Sequence, residues 1–270
     1  GTLTDAGGGN FIAGDLFAGG HVVNLTADDT TLTTLAGSAQ EDYAFNTLDS
    51  YDVGTVNAAS GVTTEFGNIN LCTEGTIAVG QVVESLTGSV AVTATGAGAI
   101  VNVGANVSGD DVTITGATLN VTATTENAIG GTTLDAAAGT LNIDANVTAH
   151  ESLDLSGGAS ILLAANLQAD DSITVNDGLE VDGSSSITAD DGDVYFVSTV
   201  NAAASFSLDV NAGDTVTFGG NVTVVDDLTV NAATLHTDTN IINVGSDLLL
   251  GGTNAVEIDG EASVFTAAND

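Results

Sequence analysis

The chain has 270 residues, of which 36 are acidic and none is Lys or Arg, giving a formal net charge of −36 at pH 7. A surface without basic side chains cannot neutralise phosphates, which excludes nucleic acid as a partner, and anionic membrane surfaces repel it. Proline is absent and aromatic residues make up only 4% of the chain, which favours a narrow aliphatic core in which every backbone N–H can join a β-ladder.

Residues 1–66 form the less regular part of the chain. Gly-rich segments interrupt its short apolar runs, and it holds six of the eleven aromatic residues: Phe11, Phe17, Tyr43, Phe45, Tyr51 and Phe66. A solenoid needs an atypical terminal unit to cover its open core. We therefore predict that residues 1–66 are an irregular N-terminal cap or the first coils, although a docking surface for another subunit would show the same enrichment. Because the chain begins at Gly1 without Met, we expect any targeting segment to have been removed or to lie outside these residues.

Residues 67–270 repeat with a period near twenty. The clearest repeats are 140–158, 159–178 and 179–198, and each has an alternating apolar run, a polar turn, acidic residues and a second alternating run. A fixed period with strand alternation inside each unit is typical of stacked short strands. We predict an all-β fold, a single-stranded right-handed parallel β-helix with about 20 residues per coil and about thirteen coils.

Acidic residues recur before the second strand of these repeats. Asp-Asp pairs occur at 28–29, 110–111, 170–171, 190–191 and 226–227. Carboxylates on successive coils would lie about 4.8 Å apart, well within the screening length of physiological salt. Calcium accepts several carboxylate and carbonyl oxygens with flexible geometry, so Ca²⁺ is the candidate cofactor. The candidate metal ligands are Asp110, Asp111, Glu151, Asp170, Asp171, Asp190 and Asp191. A solvated acidic face without specific sites is the alternative.

An asparagine column accompanies the acids. Its members are Asn106, Asn127, Asn146 and Asn166, with spacings near twenty, and we expect their side chains to hydrogen-bond from one coil to the next. Glycosylation sequons occur at Asn24, Asn106, Asn120, Asn146 and Asn221. Several such sequons arise by chance in a chain rich in Asn and Thr, so they leave modification open.

Catalytic signals are weak. The acidic pairs are spread along the chain, whereas an active site is a local departure from a repeat, and His21, His150 and His236 share no motif with a nucleophile. We therefore predict no catalytic residues and no enzyme activity, with a polysaccharide hydrolase as a remote alternative. Thr-x-Thr triplets, which order water in some ice-binding solenoids, do not keep one phase here. Cys72 is alone, which excludes an intrachain disulfide and favours a small buried side chain over an intermolecular bridge.

The repeats resemble those of a known class of surface proteins. Segments such as GNVTVVDDLTVNA (220–232) and NIDANVTAHESLDLSGG (142–158) are similar to the repeat region of filamentous haemagglutinin-like secreted proteins. The resemblance covers about residues 68–260 and implies a right-handed β-helix that serves as a bacterial adhesin or surface fibre. The absence of Lys and Arg departs from most such proteins.

These observations together favour a mechanical role. We expect a structural subunit of an extracellular fibre, sheath or surface layer that self-associates through its ends or faces, with a cell-surface adhesin as the alternative. The expected partners are further copies of the chain, with neighbouring surface proteins or neutral glycans as additional candidates. We expect no binding to nucleic acid and no membrane insertion, because no apolar run is long enough to span a bilayer.

Overall fold

The structure is a computed structural model that describes residues 1–4, 14–27, 32–127, 130–202, 204–237, 241–252, 257–259 and 264–267. These residues form strands, turns and bends, and they include no helix that could cross a membrane. The chain divides into two compact units, Gly1–Gly139 and Thr140–Asp270. Each unit is built from short strands that pair in parallel with strands one coil away.

The described residues of unit 1 form nineteen strands. They are β1 (Thr2–Thr4), β2 (Asp15–Gly20), β3 (Val22–Ala27), β4 (Thr34–Ala39), β5 (Tyr43–Thr47), β6 (Tyr51–Val53), β7 (Thr55–Val56), β8 (Ala59–Ser60), β9 (Val62–Thr64), β10 (Ile69–Thr73), β11 (Ile77–Val79), β12 (Val83–Ser85), β13 (Val90–Ala94), β14 (Ile100–Val103), β15 (Val107–Ser108), β16 (Val112–Gly116), β17 (Thr118–Val121), β18 (Thr125–Asn127) and β19 (Thr132–Ala136).

Unit 2 has the same number of strands in its described part. They are β20 (Thr140–Ile143), β21 (Val147–Ala149), β22 (Leu153–Gly157), β23 (Ser160–Leu163), β24 (Leu167–Ala169), β25 (Ile173–Val175), β26 (Leu179–Val181), β27 (Ser185–Ala189), β28 (Val194–Phe196), β29 (Val200–Ala202), β30 (Leu208–Ala212), β31 (Thr215–Phe218), β32 (Val222–Val224), β33 (Leu228–Asn231), β34 (Thr234–Thr237), β35 (Ile241–Val244), β36 (Leu248–Gly251), β37 (Glu257–Asp259) and β38 (Val264–Ala267).

Each regular coil contributes one strand to each of three faces. In unit 2 the first face is β22-β25-β28-β31-β34-β37, the second is β20-β23-β26-β29-β32-β35-β38, and the third is β21-β24-β27-β30-β33-β36. In unit 1 the first face is β1-β3-β5-β10-β13-β16-β19, the second includes β6-β11-β14-β17, and the third includes β9-β12-β15. The chain thus runs from first to second to third face and returns one coil further on.

The core is built from inward-facing aliphatic side chains on these strands. Burial alternates along each strand, as in β20, where Leu141 and Ile143 are buried and their neighbours are partly exposed. Equivalent second-face positions are all buried, namely Leu141, Ile161, Leu179, Val200, Val222 and Ile242. Full burial of one such side chain contributes about 1.5–3 kcal/mol. The aliphatic composition therefore matches a narrow interior in which each coil adds one layer.

The first coils of unit 1 depart from the three-strand pattern. Strand β4 serves two faces, because Leu35 pairs with β6 and Gly37 pairs with β9. One coil later an antiparallel hairpin, β7–β8, separates these faces. Its turn residues Asn57 and Ala58 have φ angles of 50° and 70°, as a two-residue type I′ turn requires. The hairpin contacts β4.

The predicted all-β parallel solenoid with about 20 residues per coil is confirmed. The described residues place thirteen strands on the first face, and coil length varies, since some coils are longer than the period. The coil that contains the hairpin is the clearest case, because Tyr43 pairs with Ile69, 26 residues later. Strands from residues 2–47 pair in the same first face as β10, and the role of residues 1–66 as a cap stays a prediction.

Candidate functional site

The acidic residues predicted as metal ligands all lie at one kind of corner, between a third-face strand and the next first-face strand. Unit 1 contributes Asp110 and Asp111, and unit 2 contributes Glu151, Asp170, Asp171, Asp190 and Asp191. In unit 2 the corners stack directly. The backbone N–H of Asp171 donates to the carbonyl of Glu151 (3.1 Å), and that of Asp191 donates to the carbonyl of Asp170 (2.8 Å).

Several of these carboxylates already have partners within the chain. Asp170 pairs with His150 one coil earlier. Asp190 accepts a hydrogen bond from the side-chain amide of Gln168 (3.1 Å). In the described ranges, no three His, Cys, Asp or Glu side chains gather closely enough to hold a metal ion. Calcium binding therefore stays a prediction.

The other two Asp-Asp pairs differ from these. Residues 28 and 29 lie outside the described residues. Asp226 and Asp227 lie between β32 and β33, at the corner between the second and third faces. There, the side chain of Asp227 accepts the backbone N–H of Asp247 (3.1 Å). The Asp-Asp dipeptide thus occurs at different corners, because any tight corner favours side chains that can accept backbone hydrogen bonds.

Polar corner side chains act as hydrogen-bond clamps between successive coils. The Oδ1 atom of Asn146 accepts the backbone N–H of Asn166 (3.0 Å), and the Oδ1 atom of Asn166 accepts the backbone N–H of Ser186 (2.9 Å). The same side-chain-to-backbone bond joins Asp42 to Asn68, Asn68 to Ser89, Ser50 to Thr76, Asp111 to Gly131, Asp193 to Thr215 and Asn221 to Ile241. Corners leave backbone donors outside the sheet ladders, and these side chains satisfy them.

The predicted asparagine column takes part in this clamping with a different geometry. Asn146 and Asn166 bond to the backbone of the next coil rather than to each other's side chains, and the side chain of Asn127 lies outside the described residues. Side-chain amide ladders occur on the faces instead. Asn120 donates to Asn102 (2.7 Å), and a second ladder joins Asn231 to Asn211 (2.8 Å).

Replacing the clamp Asn166→Ala is expected to lower the free energy of unfolding by about 0.5–1.5 kcal/mol, because the N–H of Ser186 loses its partner. Asn166→Asp retains an acceptor oxygen and should recover most of this loss. Urea denaturation followed by circular dichroism provides the measurement. Asn243→Ala, an exposed change on β35 away from the corners, is the control and should have the smaller effect. Equal losses for Asn166→Ala and Asn243→Ala would contradict the clamp.

The histidines are the only side chains in the chain that can carry positive charge at moderate pH. Two of them contact polar side chains one coil later. His21 donates through Nδ1 to Gln40 (2.8 Å), and its Nε2 lies 3.3 Å from a carboxylate oxygen of Glu41. His150 pairs with Asp170. These contacts bridge adjacent coils in the same way as the clamps.

Cys72 faces outward on β10 and is partly exposed, so the prediction of a buried side chain is wrong. It lines a shallow groove of about 400 Å³ together with Asn46 and Thr93. Burial, and secondarily the nearby charge of Glu74, raises the pKa of its thiol. A raised thiol pKa disfavours the nucleophilic thiolate, so Cys72 lacks the activation expected of a catalytic cysteine.

The sequon asparagines occupy different environments. Asn24, Asn146 and Asn221 are exposed, whereas Asn106 and Asn120 are partly buried. Asn120 is engaged in its amide ladder. Asn24 and Thr26 lie on the same exposed side of β3. Glycosylation of these residues stays a prediction.

Comparison with protein-family models, curated proteins and solved structures finds no match to this chain. The fold and the corner geometry therefore define the protein only as an acidic parallel β-solenoid whose coils are joined by side-chain clamps.

Proposed function

We propose that this protein is a structural subunit of an extracellular fibre, sheath or surface layer. One observation carries the proposal: polar side chains at the corners, including candidate metal ligands, bond to the backbone or side chains of neighbouring coils. Side chains held in this way serve cohesion of the solenoid. The similarity of the repeats to filamentous haemagglutinin-like surface proteins supports the same role and an extracellular location.

Self-association is the expected mode of assembly. The first strand, β1, pairs on one edge only within the described part of the chain, and it carries the half-exposed Leu3. Unpaired parallel edges can add strands of another chain. Electron microscopy of native material tests the proposal, since ordered polymers support it. Isolated particles that attach to cells would favour the adhesin alternative instead, and polysaccharide turnover lost on changing one Asp would establish an enzyme.

Assembly of a chain with a net charge of −36 requires counter-ions, because identical surfaces repel each other. We expect calcium to raise both the melting temperature and the polymer yield, and sodium to do so only at far higher concentration. A cation that binds only the folded or assembled form stabilises it by about 2.7 kcal/mol at one hundred times its dissociation constant. Calorimetry and sedimentation with calcium or a chelator, at fixed ionic strength, measure the effect.

A charge-matched pair of variants separates bridging from screening. Asp170→Asn with Asp171→Asn removes two charges from the corner, whereas Asp154→Asn with Asp209→Asn removes two exposed charges from the outward sides of β22 and β30. We expect only the corner variant to blunt the calcium response. If both variants respond like the unmodified protein, or if chelator and calcium give the same melting curve, the acids are a solvated face.

A further inference from the structure

The third face of unit 1 carries a groove whose floor is fixed by strand register. Gly19 pairs with Ser38, Ser38 with Thr63, and Thr63 with Glu84. These four residues therefore form one column on four successive coils, about 4.8 Å apart. Buried residues lie on both sides of Ser38 and Thr63 along their strands, so the column faces outward. The floor has no side chain at Gly19 and ends at the carboxylate of Glu84.

Larger side chains form the walls of this groove. Phe17 stands at one end with 47% of its surface exposed. Its ring leans over Gly19, since a Cβ atom at that position would lie 3.2 Å from two ring atoms. The opposite wall is a second column, formed by Gln40, Glu65 and Leu86 just beyond the strands. The groove has a volume of about 600 Å³, within the range of sites that bind small ligands.

The groove offers an unusual mixture of chemistry for this chain. The hydroxyls of Ser38 and Thr63 can donate or accept, and the carboxylates of Glu65 and Glu84 accept. The Oε1 atom of Gln40 accepts a hydrogen bond from His21. The amide oxygen of Gln40 therefore points to the histidine, and the donor hydrogens of the amide lie on the Nε2 atom of Gln40. Phe17 adds an aromatic face with negative charge density, which favours contact with polarised C–H groups. A pyranose ring combines such C–H groups with hydroxyls around its rim.

We propose that this groove binds a short neutral oligosaccharide, with one sugar stacked on Phe17 and the hydroxyls of the following sugars bound along the floor towards Glu84. Acidic sugars are excluded, because the lining carries carboxylates and the chain has no Lys or Arg to offset them. A basic peptide is the competing occupant. However, acidic side chains occur throughout the chain and attract cations at many places, whereas a half-exposed aromatic ring beside a hydroxyl-lined floor matches the C–H groups and hydroxyls of a sugar. This binding activity goes beyond the scaffold role and does not depend on it.

The test uses the whole protein and a panel of soluble probes. The probes are neutral tetrasaccharides (cellotetraose, maltotetraose, mannotetraose and N-acetylchitotetraose), with tri-galacturonate as the acidic probe and tetralysine as the basic one. Binding is measured by calorimetry and by methyl and amide NMR shifts at physiological ionic strength. We expect at least one neutral probe to bind and to shift signals from Phe17, Thr63 and Leu86, and tri-galacturonate to leave them unchanged.

Three variants and one control locate the site. Phe17→Ala removes the stacking ring, Gly19→Val fills the floor and crowds the ring of Phe17, and Glu84→Gln removes a carboxylate at the end of the groove. The first two are expected to weaken binding by about tenfold, as loss of one good aromatic contact implies, and the third to weaken it less. Tyr195→Ala removes an exposed aromatic side chain in unit 2 and should leave binding unchanged.

The fold of each variant is checked by circular dichroism. If Phe17→Ala fails to fold, Gly19→Val still tests the groove, because it keeps the Phe17 side chain. The proposal is overturned if no neutral tetrasaccharide binds, or if binding survives both Phe17→Ala and Gly19→Val. It is also overturned if tetralysine alone shifts the groove signals, in which case the occupant is a basic peptide.

Discussion

Raising the pH above about 10 is expected to unfold unit 1 cooperatively, because burial disfavours the ionised form of two tyrosines in the folded chain. Tyr43 and Tyr51 are 0% and 2% exposed, and neither hydroxyl has a hydrogen-bond partner among the described residues. Burial raises the pKa of both side chains well above the ordinary value. Gly37 makes room for this arrangement, since a Cβ atom there would lie 2.6 Å from the hydroxyl of Tyr43.

The direction of the effect follows from proton linkage. Below the unfolded pKa of about 10 both states keep the tyrosine protons, so stability does not depend on these groups there. Above it the unfolded chain releases protons that the folded chain retains, and stability falls by about 1.4 kcal/mol per pH unit for each tyrosine. For Tyr43 and Tyr51 together, two pH units correspond to a loss of about 5 kcal/mol, comparable with the whole stability of many domains.

The amino-acid composition leaves few other groups that titrate in the same pH range as tyrosine. Lysine normally titrates in the same alkaline range, and this chain has none. Among the described residues, Cys72 also has a raised pKa, so all variants should carry Cys72→Ser. Urea denaturation at pH values between about 8 and 11.5 gives the slope of stability against pH. Tyrosinate absorbance reports ionisation independently.

The double variant Tyr43→Phe with Tyr51→Phe is the decisive comparison. It should abolish most of the alkaline slope. It should also raise stability at neutral pH by about 1–3 kcal/mol, because two buried hydroxyls without partners are removed while the ring shapes are kept. If the double variant is less stable at neutral pH and keeps the slope, the hydroxyls are hydrogen-bonded and the core geometry of unit 1 is wrong.

The period and the fold class were predictable because successive coils of a solenoid place side chains of the same kind at equivalent positions, which produces a repeat in the sequence. Each coil must repeat the same inward positions, so Leu153, Ile173 and Val194 recur 20 and 21 residues apart and pair in register. Alternation within a strand marks the buried side. Both signals are local, and each further repeat strengthens them. The three repeats in residues 140–198 therefore predict the architecture without the rest of the chain.

The number of faces per coil was harder to predict. The sequence of each repeat predicts two alternating runs separated by a polar turn, but the regular coils of the structure contain three strands. The strand missed in the first clear repeat is Val147–Ala149. Three residues are too few to display a periodicity of two, and the flanking Asn and His look like turn residues. The hairpin β7–β8 was missed for a similar reason, since its turn is Asn57-Ala58 rather than the usual Asn-Gly.

The positions of the corner carboxylates could be predicted from the sequence, whereas metal binding by them stays a prediction. Repeat spacing placed Asp170 and Asp190 at equivalent corners, and the structure brings them there. Spacing could not indicate that a side chain such as that of Asp193 would bind the backbone of the next coil, because that depends on corner geometry. The groove beside Phe17 could not be predicted from the sequence either. Its floor combines Gly19, Ser38 and Thr63, which only the register of β2, β4 and β9 brings together.

Truncating one of two stacked phenylalanines in unit 2 should have the largest effect of any single substitution considered. Phe196 and Phe218 lie on adjacent first-face strands, β28 and β31, with ring centroids 5.0 Å apart and planes 12° apart. Both are at most 1% exposed. Phe218→Ala is expected to lower the free energy of unfolding by about 3–5 kcal/mol, because a close-packed layer of the core is left with a cavity.

Two companion variants make this prediction specific. Phe218→Leu keeps most of the volume and should cost less than about 1.5 kcal/mol beyond the lost ring contact. Tyr195→Ala removes a ring next to Phe196 that faces outward and is 41% exposed, and it should cost the least. This ranking follows from the direction in which each side chain points on its strand.

The two units need not unfold together, since repeat proteins lose structure locally. The chain has no tryptophan and three tyrosines. In the background of Tyr43→Phe and Tyr51→Phe, Tyr195 is the only tyrosine, and its fluorescence reports unit 2 alone. Urea titrations of Phe218→Ala and Phe218→Leu in that background, with hydrogen exchange for Tyr195→Ala, measure the expected order. If Phe218→Ala costs no more than Tyr195→Ala, Phe218 does not face the core and the register of β28 with β31 is wrong.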